Sequence, residues 1–246
     1  MSAPPEAIFL KTLLAGVDRT WRECGSVLLV VRFDPEADGI TETDVPLTVA
    51  ERGRYARLAM PSDRRRFLIS RLAFKMLVER ISGKAACKLE LVADTCRGRP
   101  VLRGTDGLDI NISHSGGWVA IGCSSTGIVG VDIEEQTTGM SSIAKLMLTR
   151  SERDYYEQSD PTSKDTVLLR TWTVKESVAK YFGSGLPSML SRIDCAWNGD
   201  HLAALSIDGR VSPDVVLTEI SERVWLAISL SPGSKHPRPV CVDLRC

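Results

Sequence analysis

Residues 26–33, SVLLVVRF, form a short, continuous, β-branched apolar run, the pattern of a buried strand. The Pro-, Asp- and Gly-containing stretch 35–47 predicts a loop. Thr48-Val-Ala-Glu51 has the capping-box arrangement and opens a helix to about Met60. Pro61 and Ser62 break it and begin another, in which Phe67, Leu68, Leu72, Met76, Leu77 and Ile81 recur at helical spacing and make one core-facing stripe. Short strands are predicted at 88–93 and 100–103. From residue 109, DINISHSGGWVAIGCSSTGIVGVDIEE reads as strand, loop, strand, Gly-containing turn, strand. A helix is expected over 141–149, and another capped by Ser151 and Asp154. A long one through LLRTWTVKESVAKYFG ends at Gly183 and Gly185. Near the end, VWLAISLS alternates, placing Val224, Leu226, Ile228 and Leu230 on one face of a half-buried strand.

Each half thus carries a few strands and one long helix, which predicts an α+β protein of two similar lobes. Phe67-x3-Arg71-x3-Lys75 can be laid on Trp172-x3-Glu176-x3-Lys180, a hint of internal duplication. Composition narrows the function classes. With 246 residues, 43% hydrophobic and 25% charged, the chain is an ordinary globular one and not a disordered or fibrous one. Its 31 basic and 31 acidic residues balance, so overall charge does not draw it to nucleic acid or a membrane, and recognition must come from local clusters. Seven cysteines without a C-x-x-C pair read as scattered thiols of a reducing compartment. The N-terminal MSAPPEAIFLKTLLAGV lacks a basic start and is interrupted by Lys11, and no apolar run reaches the length of a membrane span. A cytoplasmic protein is expected.

Four groups of residues have chemical potential. In Gly130-Val-Asp132-Ile-Glu134 a strand would put both carboxylates on one face, where they repel each other unless a cation such as Mg²⁺ lies between them. Taken alone, the pair reads equally as two surface acids. In Trp172-Thr-Val-Lys175-Glu176-Ser-Val-Ala-Lys180 a helix puts Trp172, Glu176 and Lys180 on one face, with Lys175 one residue round and within reach of the same cleft. Its plain alternative is an exposed Glu–Lys pair. Asn111-Ile-Ser113-His114-Ser-Gly-Gly collects hydroxyls, an imidazole and free N–H groups, a cradle for phosphate or a hydrogen-bonded turn. A serine hydrolase at Ser113 or Ser115 is disfavoured because no G-x-S-x-G elbow is present. Between 52 and 75, Arg52, Arg54, Arg57, Arg64, Arg65, Arg66, Arg71 and Lys75 face only Asp63 in opposite charge, a solvated face with a subset available for phosphate.

Together, in this order and spacing, Asn-Ile-Ser-His-Ser-Gly-x-Trp-Val, Gly-Val-Asp-Ile-Glu and Trp-x-x-Lys-Glu-Ser-x-x-Lys resemble the Sfp-type 4′-phosphopantetheinyl transferases over residues 48–186. Gly98-Arg-Pro100 and RRRFLISR share in the resemblance. It implies two α+β lobes related by a pseudo-twofold axis, here 1–125 and 126–246, with the active site in the cleft between them. It implies transfer of phosphopantetheine from coenzyme A to a serine of an apo acyl or peptidyl carrier protein, releasing adenosine 3′,5′-bisphosphate. Asp132, Glu134 and Glu176 resemble the Mg²⁺ ligands, and Glu176 the base that takes the serine proton. Lys180, with Lys175, would neutralise the diphosphate. Ser113 and His114 resemble contacts to coenzyme A phosphates, Arg66 one to the nucleotide end, and Gly98, Arg99 and Pro100 a backbone segment along the adenine. Many relatives have Lys in place of Arg99. Arg52 and Arg54 are the candidates for basic contacts near the first helix pair. A basic and apolar dock for an acidic carrier would draw on Ile143, Lys145, Leu146, Met147, Leu148 and Arg150. One chain holding both sides of a cleft predicts a monomer. The competing readings are a non-catalytic homologue that binds coenzyme A or a carrier, and a nucleic-acid binder using 52–75.

Overall fold

The computed structural model describes every residue except 1–4, 38, 94–98, 137–140, 142, 143, 186–188 and 246. After helix α1 (Pro5–Cys24), the apolar run becomes β1 (Ser26–Arg32), buried at nearly every position. Thr48 accepts from the Glu51 N–H and the Glu51 carboxylate accepts from the Thr48 N–H, which starts α2 (Val49–Ala56). Pro61 sits at the first position of α3 (Pro61–Ser82), which stops at Gly83 in the left-handed conformation. Then come β2 (Glu90–Ala93), β3 (Pro100–Arg103), β4 (Asp109–Ser115) and β5 (Trp118–Ser124). The second half follows with β6 (Val129–Glu135), α4 (Ala144–Met147), α5 (Arg150–Gln158), α6 (Lys164–Phe182), β7 (Ile193–Asn198), β8 (His201–Ile207), β9 (Asp214–Ser221) and β10 (Val224–Leu230). A last strand, β11 (Pro239–Asp243), closes the chain. The fold is α+β, as expected.

The halves repeat one topology. β1, α2, α3, the β2–β3 hairpin and the β4–β5 hairpin are answered by β6, α5, α6, β7–β8 and β9–β10. The strand orders match as well, β1-β5-β4 against β6-β10-β9. Each half also clamps its two helices with the same device. Glu51 of the first capping box pairs with Lys75 of α3 at 2.7 Å, and Glu152 of the second, capped by Thr149, pairs with Lys175 of α6 at 2.6 Å. The counterpart of Lys75 is therefore Lys175, which corrects the register that set it against Lys180. Ser151 and Asp154 do not cap α5; Thr149 does so with Glu152, and of the helix expected over 141–149 the α-helical part among the described residues is Ala144–Met147.

β11 lies parallel to β1, with Leu28 opposite Pro239 and Arg32 opposite Asp243. A division at 125/126 thus leaves one strand of the later part in the first sheet. One face of that sheet packs Val27, Leu29 and Val31 against Ile69, Phe74 and Leu77 of α3. Its other face sends Leu28 and Val30 into a core shared with Val131, Ile133, Leu226 and Ile228 of the second sheet. α6 covers the outer face of the second sheet through Val174 and Val178, against Ala227. β10 is accordingly buried on both faces, not half-buried, because α6 covers the side that alternation assigned to solvent.

Candidate active site

β6 and α6 build the site. Period-two alternation sends Val129, Val131 and Ile133 into the core between the sheets and leaves Gly130, Asp132 and Glu134 on the face toward α6. Gly130 is what lets the helix approach. A Cβ there would lie 2.1 Å from the Ser177 carbonyl oxygen and 2.6 Å from the Tyr181 nitrogen. On the helix, Trp172, Glu176 and Lys180 face the strand at four-residue intervals. Trp172 Nε1 donates to Glu134 Oε1 at 3.1 Å, and Lys180 Nζ donates to Asp132 Oδ1 at 2.6 Å. Glu176 falls between them, and no described residue holds its carboxylate by a hydrogen bond.

β4 supplies the third side. Where it meets β6, its side chains take the role that backbone groups play inside a sheet. Asn111 Oδ1 accepts from the Val131 N–H at 3.1 Å, Ser113 Oγ donates to Asp132 Oδ1 at 2.7 Å, and Ser115 Oγ donates to Glu134 Oε2 at 2.7 Å. Ser113 also accepts from Lys180 at 2.8 Å, so its hydroxyl belongs to the Asp132–Lys180 network. Sequence reasoning passed over Asn111 and Ser115 as parts of this seam, although Asn111, Ser113 and Ser115 stand two apart and so share a strand face.

The electrostatics follow from this crowding. Burial pushes the Asp132 carboxyl up, against the pull of Lys180. Glu134 is raised by burial and by the Asp132 charge. Glu176 is pushed to about 7 by burial, then by Asp132, with Lys180 opposing. Asp132 Oδ2 is buried without a hydrogen-bond partner, an orphaned acceptor that a cation would satisfy. Among the described residues no three of His, Cys, Asp and Glu are gathered closely enough to hold a metal ion by themselves. A Mg²⁺ site made of one or two carboxylates completed by waters and substrate oxygens fits this set; an all-protein cage does not.

Two cavities meet beside these groups. A recess of about 100 Å³ is lined by Glu176, Lys180, Asn111, Arg99 and Pro100. A larger cavity of about 630 Å³ shares Arg99 and Pro100 and extends over Arg54, Arg66, Arg71 and His114. His114 stands on the cavity wall with its titration lowered by partial burial and then by Arg66, so it is neutral at pH 7. Arg66 pairs with Asp63 at 2.7 Å. The Arg99 side chain is buried and stitches the halves together, donating to the Tyr181 and Val129 carbonyls at 2.9 and 2.8 Å and to Asp109 at 2.6 Å. Gly98 lies outside the described residues.

Two expected site residues are elsewhere. Lys175 does not reach the cleft. It is fully buried on the other side of α6, with its N–H groups given to Glu152, the Met147 carbonyl at 2.8 Å and the Leu190 carbonyl at 2.9 Å. One residue round a helix was enough to turn it into the core. Arg52 points away from the cavity and pairs with Glu42 at 2.9 Å, whereas Arg54, two residues on, lines it. In the candidate dock, Leu146 is 78% exposed while Met147 and Leu148 are buried, and Ile143 lies outside the described residues. Among the described residues no helix is long and apolar enough to cross a membrane.

The family profile for the N-terminal part of 4′-phosphopantetheinyl transferases matches residues 33–126, and that of the 4′-phosphopantetheinyl transferase superfamily matches residues 128–230. Among curated relatives, the 4′-phosphopantetheinyl transferase psf-1 of Bacillus pumilus is 30% identical over 49% of this chain and 52% of its own length. A 4′-phosphopantetheinyl transferase of Bacillus subtilis is 27% identical over 53% of this chain and 58% of its own. The transferase Sfp of Bacillus subtilis strain 168 is 25% identical over 71% and 83% respectively. The chain thus spans little more than half the length of the first two relatives.

Proposed function

Since this chain belongs to the Sfp-type 4′-phosphopantetheinyl transferase family, we propose that it transfers 4′-phosphopantetheine from coenzyme A to a serine hydroxyl of an apo carrier protein. The observation that carries the reading is the convergence of Asp132, Glu134, Glu176 and Lys180 from one strand and one helix beside a basic cavity. Glu176, poised near pH 7 and free of hydrogen-bonded partners among the described residues, takes the proton of the carrier serine. The serine oxygen forms a bond to the phosphorus that bears pantetheine. The bond from that phosphorus to the bridging oxygen breaks, and its electron pair leaves with adenosine 3′,5′-bisphosphate. Lys180 neutralises the charge that grows on the leaving phosphate, exchanging Asp132 for it. One or two of Asp132, Glu134 and Glu176, completed by waters and substrate oxygens, would hold Mg²⁺, which when bound would supply further neutralisation of the diphosphate. Arg66 and His114 line the nucleotide end, and Pro100 its wall between the two cavities.

The deciding test is the intact mass of an apo carrier after incubation with the protein, coenzyme A and Mg²⁺. A gain of one phosphopantetheine, abolished by a chelator and by Glu176→Gln, supports the proposal. No gain on several unrelated apo carriers, with coenzyme A still bound, would instead indicate a non-catalytic homologue.

A further inference from the structure

The end of α6 is held by a cation from the other half of the chain. Gly183, in the left-handed conformation, closes the helix by giving its N–H to the Ala179 and Lys180 carbonyls. The next carbonyl along, that of Tyr181, accepts from Arg99 Nη1 at 2.9 Å. Arg99 Nη2 donates to the Val129 carbonyl at 2.8 Å and to Asp109 Oδ2 at 2.6 Å, and the Val129 N–H reaches the same Asp109 oxygen at 2.8 Å. One guanidinium thus ties the last turn of α6 to the first residues of β6 and β4. Helix and strand come close at this same point, where a Cβ on Gly130 would lie 2.6 Å from the Tyr181 nitrogen. A cation is the group that a helix C-terminus favours, and a planar fork is the shape that reaches acceptors on different elements. Arg99 is 7% exposed, so these bonds are shielded from water.

The residue before Tyr181 is Lys180, whose Nζ lies 2.6 Å from Asp132 Oδ1. A hold on the Tyr181 and Val129 carbonyls therefore fixes the two backbones from which Lys180 and Asp132 project. Arg99 borders both cavities, but both its terminal nitrogens are given to protein acceptors and its Nε is buried. The resemblance concerns the backbone of 98–100 and leaves this side chain without a role. Resting on the transferase reading, we propose that Arg99 is a positioning residue for Lys180. Its side chain sets the rate of transfer by fixing the end of α6 against β6, and not by touching coenzyme A. Misplacing a reacting group by about 1 Å costs on the order of 10²-fold in rate, so a hold of this kind is worth a large factor.

A double-mutant cycle on the full chain tests this, with the unsubstituted protein, Arg99→Met, Lys180→Met and the pair together. Carrier modification is followed by intact mass to give kcat and the KM for coenzyme A. Each rate is expressed per coenzyme A-binding molecule, counted by calorimetric stoichiometry, so a misfolded fraction drops out. Arg99→Met should lower kcat about 10–100-fold and leave the KM for coenzyme A within about threefold, with Arg99→Lys in between. In the Lys180→Met background the same substitution should change kcat by no more than about twofold, because the group it positions is gone. Where Arg99→Met yields no folded protein, Arg99→Lys carries the same cycle. An equal loss in both backgrounds, a loss confined to KM, or no loss at all would overturn the role of Arg99 while leaving the transferase reading intact. An unsubstituted protein that modifies no carrier would overturn both.

Discussion

The two halves share a frame and differ in what they put at the same places. Aligned on the Glu51–Lys75 and Glu152–Lys175 clamps, Leu72, Met76 and Arg80 of α3 correspond to Trp172, Glu176 and Lys180 of α6. β1, which holds the place in the first half that β6 holds in the second, sends Val27, Leu29 and Val31 into the same hydrocarbon cluster as α3; β6 offers Gly130, Asp132 and Glu134 to α6. The first half closes on hydrocarbon and is roofed by α1, where Asp18 takes Arg80, the counterpart of Lys180. The second half leaves three carboxylates crowded and one acceptor of Asp132 unfilled. A strand face and a helix stripe that belong to a hydrocarbon cluster in one half carry the reactive groups in the other, and the residues on both elements decide between them. The cavities diverge in the same way. Ser70 lines the open cavity, while its counterpart Arg170 lies between Trp197 and Trp225, 5.0 and 5.5 Å from their rings.

Substitutions at paired positions break this comparison where it matters most. Glu176→Gln should lower carrier modification about 10²–10⁴-fold, the range for loss of a general base, whereas Met76→Gln should leave the rate unchanged and touch stability alone. Initial rates read by intact mass separate the two. The clamps should behave alike: Lys75→Met and Lys175→Met each strand a buried glutamate, at about 3–5 kcal/mol in denaturant unfolding. Were Lys175 catalytic, its loss would change the pH–rate profile; as a clamp it should lower stability and leave the shape of that profile alone. Gly130→Ala forces a methyl against the Ser177 carbonyl, and should cost about 1–3 kcal/mol and reduce turnover by lifting α6 from Asp132.

The pH dependence sharpens the contrast. Transfer should rise as pH passes 7 and Glu176 loses its proton. Stability should move the other way. With the folded value raised from 4.5 to about 7, the folded state binds the proton more tightly, so this contribution is complete below pH 4.5 and is lost as pH rises through 7. Glu176→Gln should flatten that slope in thermal unfolding measured across the window, and an unchanged slope would assign it to other groups. The smallest effect is expected at Arg52→Ala, at most about 1 kcal/mol from an exposed ion pair, with no change in coenzyme A affinity.

Local signals carried far in this chain. The apolar run of β1, the Thr48–Glu51 box, the stop at Gly83 and the shared face of Asp132 and Glu134 were all legible, because each depends on residues within a turn or a strand pleat of one another. So were Trp172, Glu176 and Lys180 as one helical stripe. Lys175 was misplaced because adjacency on a helix does not say which neighbour covers which side. Only the packing of α5 and the Leu190 segment shows that its amine is spent. Arg52 and Arg54 were interchangeable in sequence and were separated by where α2 meets the cavity wall.

The sequence by itself determined the elements, their capping, and the set of acids and cations able to handle a phosphate. Tertiary structure decided that β11 returns to β1, that β4 side chains replace a missing ladder along β6, and that Arg71 faces a cavity without a full partner. Each of these joins residues far apart in the chain, and such contacts are selected by burial and hydrogen-bond satisfaction across the whole molecule, which no local period encodes.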